Sequence, residues 1–248
     1  QIKAHRVSES ASQKITSAYE NARSAIQRHI NVKHAHEIIF TSGTTGSINL
    51  VASGFAKKFV TTGDEIIVSE MEHHSNILPW QQLCEEKNAI LKVVSINETG
   101  ELLFDEYKKL LSSKTKLIAI THVSNTLGTI NPIKEIISLA HAKGIPVLID
   151  GAQAIPHMKV DVQNLDADFY CFSGHKVYGP TGVGILYGKE EWLRKLPNYQ
   201  VGGGTIKTVS FAKTEYADIP LRFDAGTPHI EGGMGLASAI DYINAIGL

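Results

Sequence analysis

Between residues 37 and 187 the chain repeatedly sets a short apolar run against a helix-like stretch. That rhythm constrains its fold more than any other feature. The runs cover 37–41 (EIIFT), 65–69 (EIIVS), 90–95, 116–121 (KLIAIT), 146–150 (PVLID), 168–173 and 184–187 (GILY). As a set they lack the polar alternation of a half-exposed strand, so they are predicted to be strands covered on both faces. Helices are predicted between or after them over 46–59, 76–87, 104–111, 133–143 and 190–196. An opening helix over 8–30 follows from Ile15, Ala18, Ala22, Ile26 and Ile30 at helical spacing, with Ser10 and Gln13 resembling a capping box. The expected fold class is α/β, a mostly parallel sheet sandwiched by helices.

Composition narrows the function classes. Lys plus Arg (24) nearly balances Asp plus Glu (25), which gives no electrostatic pull toward nucleic acid or an anionic membrane. No apolar run approaches the roughly 20 residues of a membrane span, and no signal-peptide pattern opens the chain. Cys84 and Cys171 lie far apart without metal-ligand spacing, so no metal site is expected; a reducing, cytoplasmic setting is. The chain opens on Gln1 and ends at Leu248 just after an amphipathic helix, and we expect a piece of a longer protein.

In a parallel sheet the ligand sits at the carboxyl ends of the strands, so the residues just past each run carry the functional information. The first run is followed by Thr41-Ser42-Gly43-Thr44-Thr45-Gly46-Ser47, where free N–H groups at a helix start, glycines and hydroxyls make an anion site. After the second comes a stretch with His73, His74, Ser75 and Asn76; after 116–121 comes Asn125; Asp150 closes its own run and Gln153 follows. The run 168–173 closes on Ser173, followed by Gly174-His175-Lys176 and then Gly179-Pro180, which forbids regular structure. Each has a plainer explanation alone: a helix cap, a loop histidine, a turn amide, a solvated lysine. Together they form one edge with phosphate donors, an imidazole, an amide, a carboxylate and a lysine able to form a Schiff base. The ligand that matches is pyridoxal 5′-phosphate (PLP), with its phosphate, ring nitrogen, phenolic oxygen and aldehyde.

At this point a family resemblance becomes specific. TSGTTGSINLVA, SEMEHHSNILPWQ, ITHVSNTLGTINP, VLIDGAQAIPHMKVDV, DFYCFSGHKVYGPTGVGILY, GGGTI and RFDAGTP, in this order, resemble the cysteine desulfurase and selenocysteine lyase group of the Suf type. That group sits among the class V aminotransferases, PLP enzymes of fold type I. The resemblance implies that Lys176 carries the cofactor and moves the Cα proton. It implies that Asp150 pairs with the pyridine nitrogen, and that His73 stacks on the ring with a possible acid–base role. Gln153 and Asn125 would reach the phenolic oxygen, while Thr44, Thr45, Ser173 and His175 would hold the phosphate. Thr227 would reach a phosphate in a neighbouring subunit, which implies a homodimer. Its implied substrate is L-cysteine or L-selenocysteine; the desulfurase products are L-alanine and an enzyme persulfide passed to a sulfur-acceptor protein for iron–sulfur cluster assembly.

Neither cysteine suits the persulfide-forming thiolate, since Cys84 falls inside a helix and Cys171 inside a buried-type strand. In the family that cysteine and the arginine gripping the substrate carboxylate belong to a smaller C-terminal domain. Residues 1–248 are therefore expected to be one PLP-binding large domain, lacking an N-terminal segment and the small domain, and inactive by itself. The family's first loop often carries Glu after the paired threonines, where this chain has Gly46-Ser47. Two other readings compete. An adenylate-forming enzyme would share TSGTTG, but a Pro-Lys pair typically follows there, and SGHK would go unexplained. A non-catalytic binding fragment would hold no cofactor. Within PLP chemistry the runner-up is a selenocysteine lyase or another aminotransferase-like member.

Overall fold

The computed structural model describes residues 9–247, with side chains described from Gln13 onward. Helix α1 (Glu9–His29) leads into β1 (Ile38–Thr41), α2 (Thr44–Lys58), β2 (Glu65–Ser69), α3 (Leu78–Lys87), β3 (Ile90–Val94) and α4 (Phe104–Leu110). Then come β4 (Thr115–Thr121), α5 (Ile133–His141), β5 (Val147–Asp150), α6 (Val162–Leu165), β6 (Phe169–Ser173), β7 (Gly184–Gly188) and α7 (Glu190–Lys195). A small hairpin of β8 (Ile206–Val209) and β9 (Thr214–Tyr216) precedes the closing helix α8 (Ile230–Ile246). Ser8, the expected first residue of α1, lies outside the described residues, and so does the Ser10 side chain of the expected cap.

Strands β1 to β7 form one sheet in the order β1-β7-β6-β5-β4-β2-β3. Pairing is parallel from β3 through β6, and β7 alone runs against both of its neighbours, β6 and β1. The mostly parallel sheet read from the apolar runs is thus what forms. Alternate residues of each strand feed opposite faces. Ile118, Ile120, Val147, Ile149, Tyr170 and Phe172 meet α1, α4, α5 and α8 on one side. Leu117, Ala119, Leu148, Phe169 and Cys171 meet α2, α3 and α7 on the other. Burying each such large apolar side chain is worth roughly 1.5–3 kcal/mol, and this two-sided burial is why the strands carry no polar alternation.

Local departures from the expected boundaries have local causes. Helix α2 begins two residues early because Gly43, with φ 145°, turns the chain abruptly, and Thr44 and Thr45 already supply its first turn. The expected helix 76–87 divides into a 3-10 turn, His74–Asn76, and α3, which starts afresh with Pro79 in its first turn. The β8–β9 hairpin was not legible: its residues are mostly exposed, and Phe211 beside it lies wholly in solvent. No helix among the described residues is long and apolar enough to cross a membrane.

Candidate active site

The parallel course of β1, β2, β4, β5 and β6 brings their carboxyl ends to one edge, and a cavity of about 210 Å³ opens there. Thr44, Thr45, His73, Asn125, Asp150, Gln153, Ser173, His175 and Lys176 all line it. These nine residues come from five separate strand ends. Thr227 lies apart, lining a second cavity with Thr41, Ser42 and His229. Ser75, Thr121, Val123 and Ala152 also line the first cavity and were not singled out from sequence. Ser75 stood inside the histidine stretch and could have been found there; the others carry no chemical signal of their own.

Asp150, the last residue of β5, is buried and its Oδ1 accepts the Ala152 N–H at 2.9 Å. Burial pushes its pKa up, opposed by that N–H and by the nearby Lys176 and His73 side chains. Gly151 has a packing reason to be glycine, since a Cβ there would come 2.0 Å from the Tyr170 ring. Tyr170 in turn shares a 2.9 Å hydrogen bond with His122 Nδ1. Burial lowers the His122 pKa to about 4, so this imidazole is neutral at physiological pH.

The opposite wall is the start of α2. The Thr44 N–H donates to Ser173 Oγ at 2.9 Å, and Thr44 Oγ1 lies 2.8 Å from the same oxygen. Thr45 Oγ1 bonds to Ser75 Oγ at 2.7 Å, joining this loop to the turn after β2. Close approach of the loop to β7 depends on Gly184, where a Cβ would fall 2.3 Å from Gly43 Cα. The result is a cluster of hydroxyls and N–H groups at a helix N-terminus, suited to an anion. Lys176 and His175 sit in the 3-10 turn Gly174–Val177 that follows β6, Lys176 half-buried and His175 exposed.

His73 stands at the mouth, with Nδ1 accepting the Ser75 N–H at 3.1 Å. That bond leaves the ring proton on Nε2 in the neutral form. Behind it, unforeseen from sequence, is the buried Glu72. Its Oε1 accepts from Ser69 Oγ at 2.5 Å and from the Thr121 N–H at 2.9 Å, and its Oε2 accepts from Asn76 Nδ2 at 2.6 Å. Burial raises the Glu72 pKa to about 8, against those three donors and with help from the Asp150 charge.

Among the described residues, no cysteine and no arginine lines this cavity. Both thiols are buried, which pushes Cys84 up to about 11 and Cys171 well above the ordinary thiol range. Neither is poised as a thiolate.

Residues 1–248 match the model of the Aminotransferase class-V family. The chain is 49% identical over 244 residues to a cysteine desulfurase of Synechococcus elongatus, covering 98% of the chain and 39% of that relative. It is 50% identical over 245 residues to a cysteine desulfurase of Salmonella typhimurium, covering 98% of the chain and 60% of the relative. The apo structure of a cysteine desulfurase from Thermococcus onnurineus superposes with a TM-score of 0.92 at 40% identity, over 98% of this chain and 60% of that one. A C-DES variant with glycine covalently linked to its PLP cofactor superposes with a TM-score of 0.87 at 26% identity, over 97% and 64% of the two chains. The chain thus spans between 39% and 60% of the length of these curated relatives.

Proposed function

The chain belongs to the aminotransferase class-V family, and from that premise we propose that it is the PLP-binding large domain of a cysteine desulfurase. The observation that carries this reading is the buried Asp150 carboxylate, held by one backbone N–H and facing the same cavity as Lys176 and an anion-suited helix start. A buried carboxylate so sparsely bonded is costly by itself. A protonated ring nitrogen would supply the missing partner, and hydroxyls of Thr44, Thr45 and Ser173 with His175 would take a phosphate. The donor set therefore fits PLP, as it would not fit a nucleotide that leaves Asp150 and Lys176 idle.

Bound PLP supplies an aldehyde and an electron-withdrawing ring that stabilises negative charge at a substrate Cα. The chain's own residues do the rest. Lys176 would hold the aldehyde carbon covalently through its amine, then take the Cα proton once an incoming amino acid displaces it. Asp150 would keep the ring nitrogen protonated. His73 would cover the ring face with an imidazole able to move a proton at Nε2, and Asn125 and Gln153 would orient the phenolic oxygen. Thr227, remote from this cavity, would serve the phosphate of a second copy in a homodimer.

Similarity to cysteine desulfurases at about half identity supports L-cysteine as substrate, with alanine and a persulfide sulfur as products. Both cysteines here are buried with raised pKa values, so we assign the sulfur-accepting thiolate and the substrate-carboxylate arginine to a part of the protein outside the described residues. The persulfide would then pass to a sulfur-acceptor protein.

Adding PLP to the protein and reducing with borohydride is expected to fix the cofactor on the Lys176 peptide, and Lys176→Ala to abolish both the visible absorbance and the trapped peptide. A wild-type protein that stays colourless with excess PLP would end the proposal. With the full-length protein and a thiol reductant to release the persulfide sulfur, L-cysteine should give alanine and sulfide; a keto acid without sulfide would point to transamination instead.

A further inference from the structure

We propose that Glu72 is a positioning residue that fixes His73 over the cavity through the turn His74–Asn76. Glu72 is buried, and its three hydrogen bonds reach three separate places: Ser69 at the end of β2, Asn76 in the turn, and the backbone of Thr121 at the end of β4. Thr121 itself lines the cavity and is paired across the sheet with Asp150. The turn is closed from within by the Asn76 N–H donating to the His73 carbonyl at 2.7 Å and by the Ser75 N–H on His73 Nδ1. Asn76 is pinned on its far side, where its Oδ1 accepts from Nε1 of the buried Trp80 at 2.9 Å. One carboxyl therefore ties the segment that carries His73 to the strand next to Asp150, and the Trp80 bond prevents Asn76 from rotating to compensate.

A merely space-filling residue would not need this arrangement. A buried carboxyl is an expensive tether, retained where several donors must converge from different elements. Its raised pKa agrees with a group enclosed for geometry rather than for display of charge. The inference deepens the reading of this cavity as the PLP site, on which its catalytic consequence rests; the geometry at His73 does not depend on it.

The donor and acceptor pattern gives a specific test. In Glu72→Gln the new amide N–H₂ faces the Asn76 N–H₂, donor against donor. Adding Asn76→Asp restores the pair in reverse, because Asp can accept from both the Gln amide and Trp80. With ¹⁵N-histidine labelling of the full-length protein and no added cofactor, wild-type His73 Nδ1 should resonate as an unprotonated, hydrogen-bonded nitrogen. Glu72→Gln should shift it toward the average of a freely exchanging imidazole, and the double variant should return it. In the same proteins, PLP affinity is expected to fall about tenfold and recover.

An unmoved His73 signal in folded Glu72→Gln overturns the inference, and so does a double variant that stays shifted. Should Glu72→Gln not fold, Ser69→Ala removes one tie without opposing two donors, and an unmoved signal there overturns the inference as well. If the nitrogen shifts follow the swap but no variant, nor the wild type, binds PLP, the cofactor reading fails and the positioning role stands. If PLP binds and the shifts do not follow, only the positioning role fails.

Discussion

Asp150 ends β5 at the carboxyl edge of the sheet, and Asp168 stands just before β6 at the amino edge; both are buried. Asp168 accepts from the Val147 N–H at 2.8 Å, Trp192 Nε1–H at 3.2 Å, His141 Nε2 at 2.7 Å and Lys189 Nζ at 3.1 Å. Asp150 accepts from the Ala152 N–H. The amino edge has thus spent its carboxylate on holding helices α5 and α7 to the strands, while the carboxyl edge keeps one free to meet something else. Adjacent strands thus bury the same side chain in opposite settings: Asp168 is tied to several elements, and Asp150 is held by one backbone N–H, as the proposed cofactor role requires.

The largest expected effect breaks the structural end of this contrast. Asp168→Ala strands an indole N–H and a buried backbone N–H, leaves Lys189 and His141 with Asp166 alone, and should cost about 3–5 kcal/mol in urea denaturation of the cofactor-free protein. A loss below 1 kcal/mol would mean the two aspartates do not differ as described.

The next effect is a pH slope at the carboxyl edge. Glu72 has a folded pKa of about 8 against an ordinary 4.5, so the folded state holds a proton that the unfolded chain gives up. Its contribution is fully present below pH 4.5 and is lost as pH rises toward 8. Denaturation midpoints should fall across that window in the wild type, and less steeply in the Glu72→Gln, Asn76→Asp double variant, which moves the carboxyl beside Trp80.

Asp150→Asn sharpens the comparison by doing little to stability. Removing a sparsely bonded buried charge should leave the cofactor-free protein unchanged or about 1 kcal/mol more stable at pH 7. The same change should abolish turnover of L-cysteine by the full-length protein. A variant as unstable as Asp168→Ala would make Asp150 a structural residue.

The smallest effect concerns His141. Its hydrogen bond to Asp168 raises its pKa above the ordinary 6.5, opposed by partial burial. The stability it adds is complete below pH 6.5 and disappears as pH climbs through the raised value. His141→Asn should therefore cost about 0.5–1 kcal/mol at pH 6 and less at pH 9, where only the neutral imidazole's hydrogen bond to Asp168 is lost, read from the same denaturation curves.

Much of this was legible in the residues. KLIAIT, PVLID and FYCFS could only be two-sided strands, and once they were parallel, the groups following them had to share an edge. Asp150, Lys176 and His73 were found that way. Glu72 was not, because it stands next to a more conspicuous histidine pair and a lone glutamate in a loop reads as solvated. The Asp168 network was missed for the same reason: His141, Lys189 and Trp192 are distant in sequence and none is unusual alone. The β8–β9 hairpin escaped because exposed residues carry no periodic apolar signal.

The sequence by itself determined the sheet, its layered helices and the chemical types gathered at its carboxyl edge, since apolar periodicity and strand direction are local properties that propagate along the chain. Only the tertiary structure decided which buried carboxyls are satisfied and which are not. A hydrogen bond depends on where the partner's atoms lie, and those partners come from elements tens of residues away.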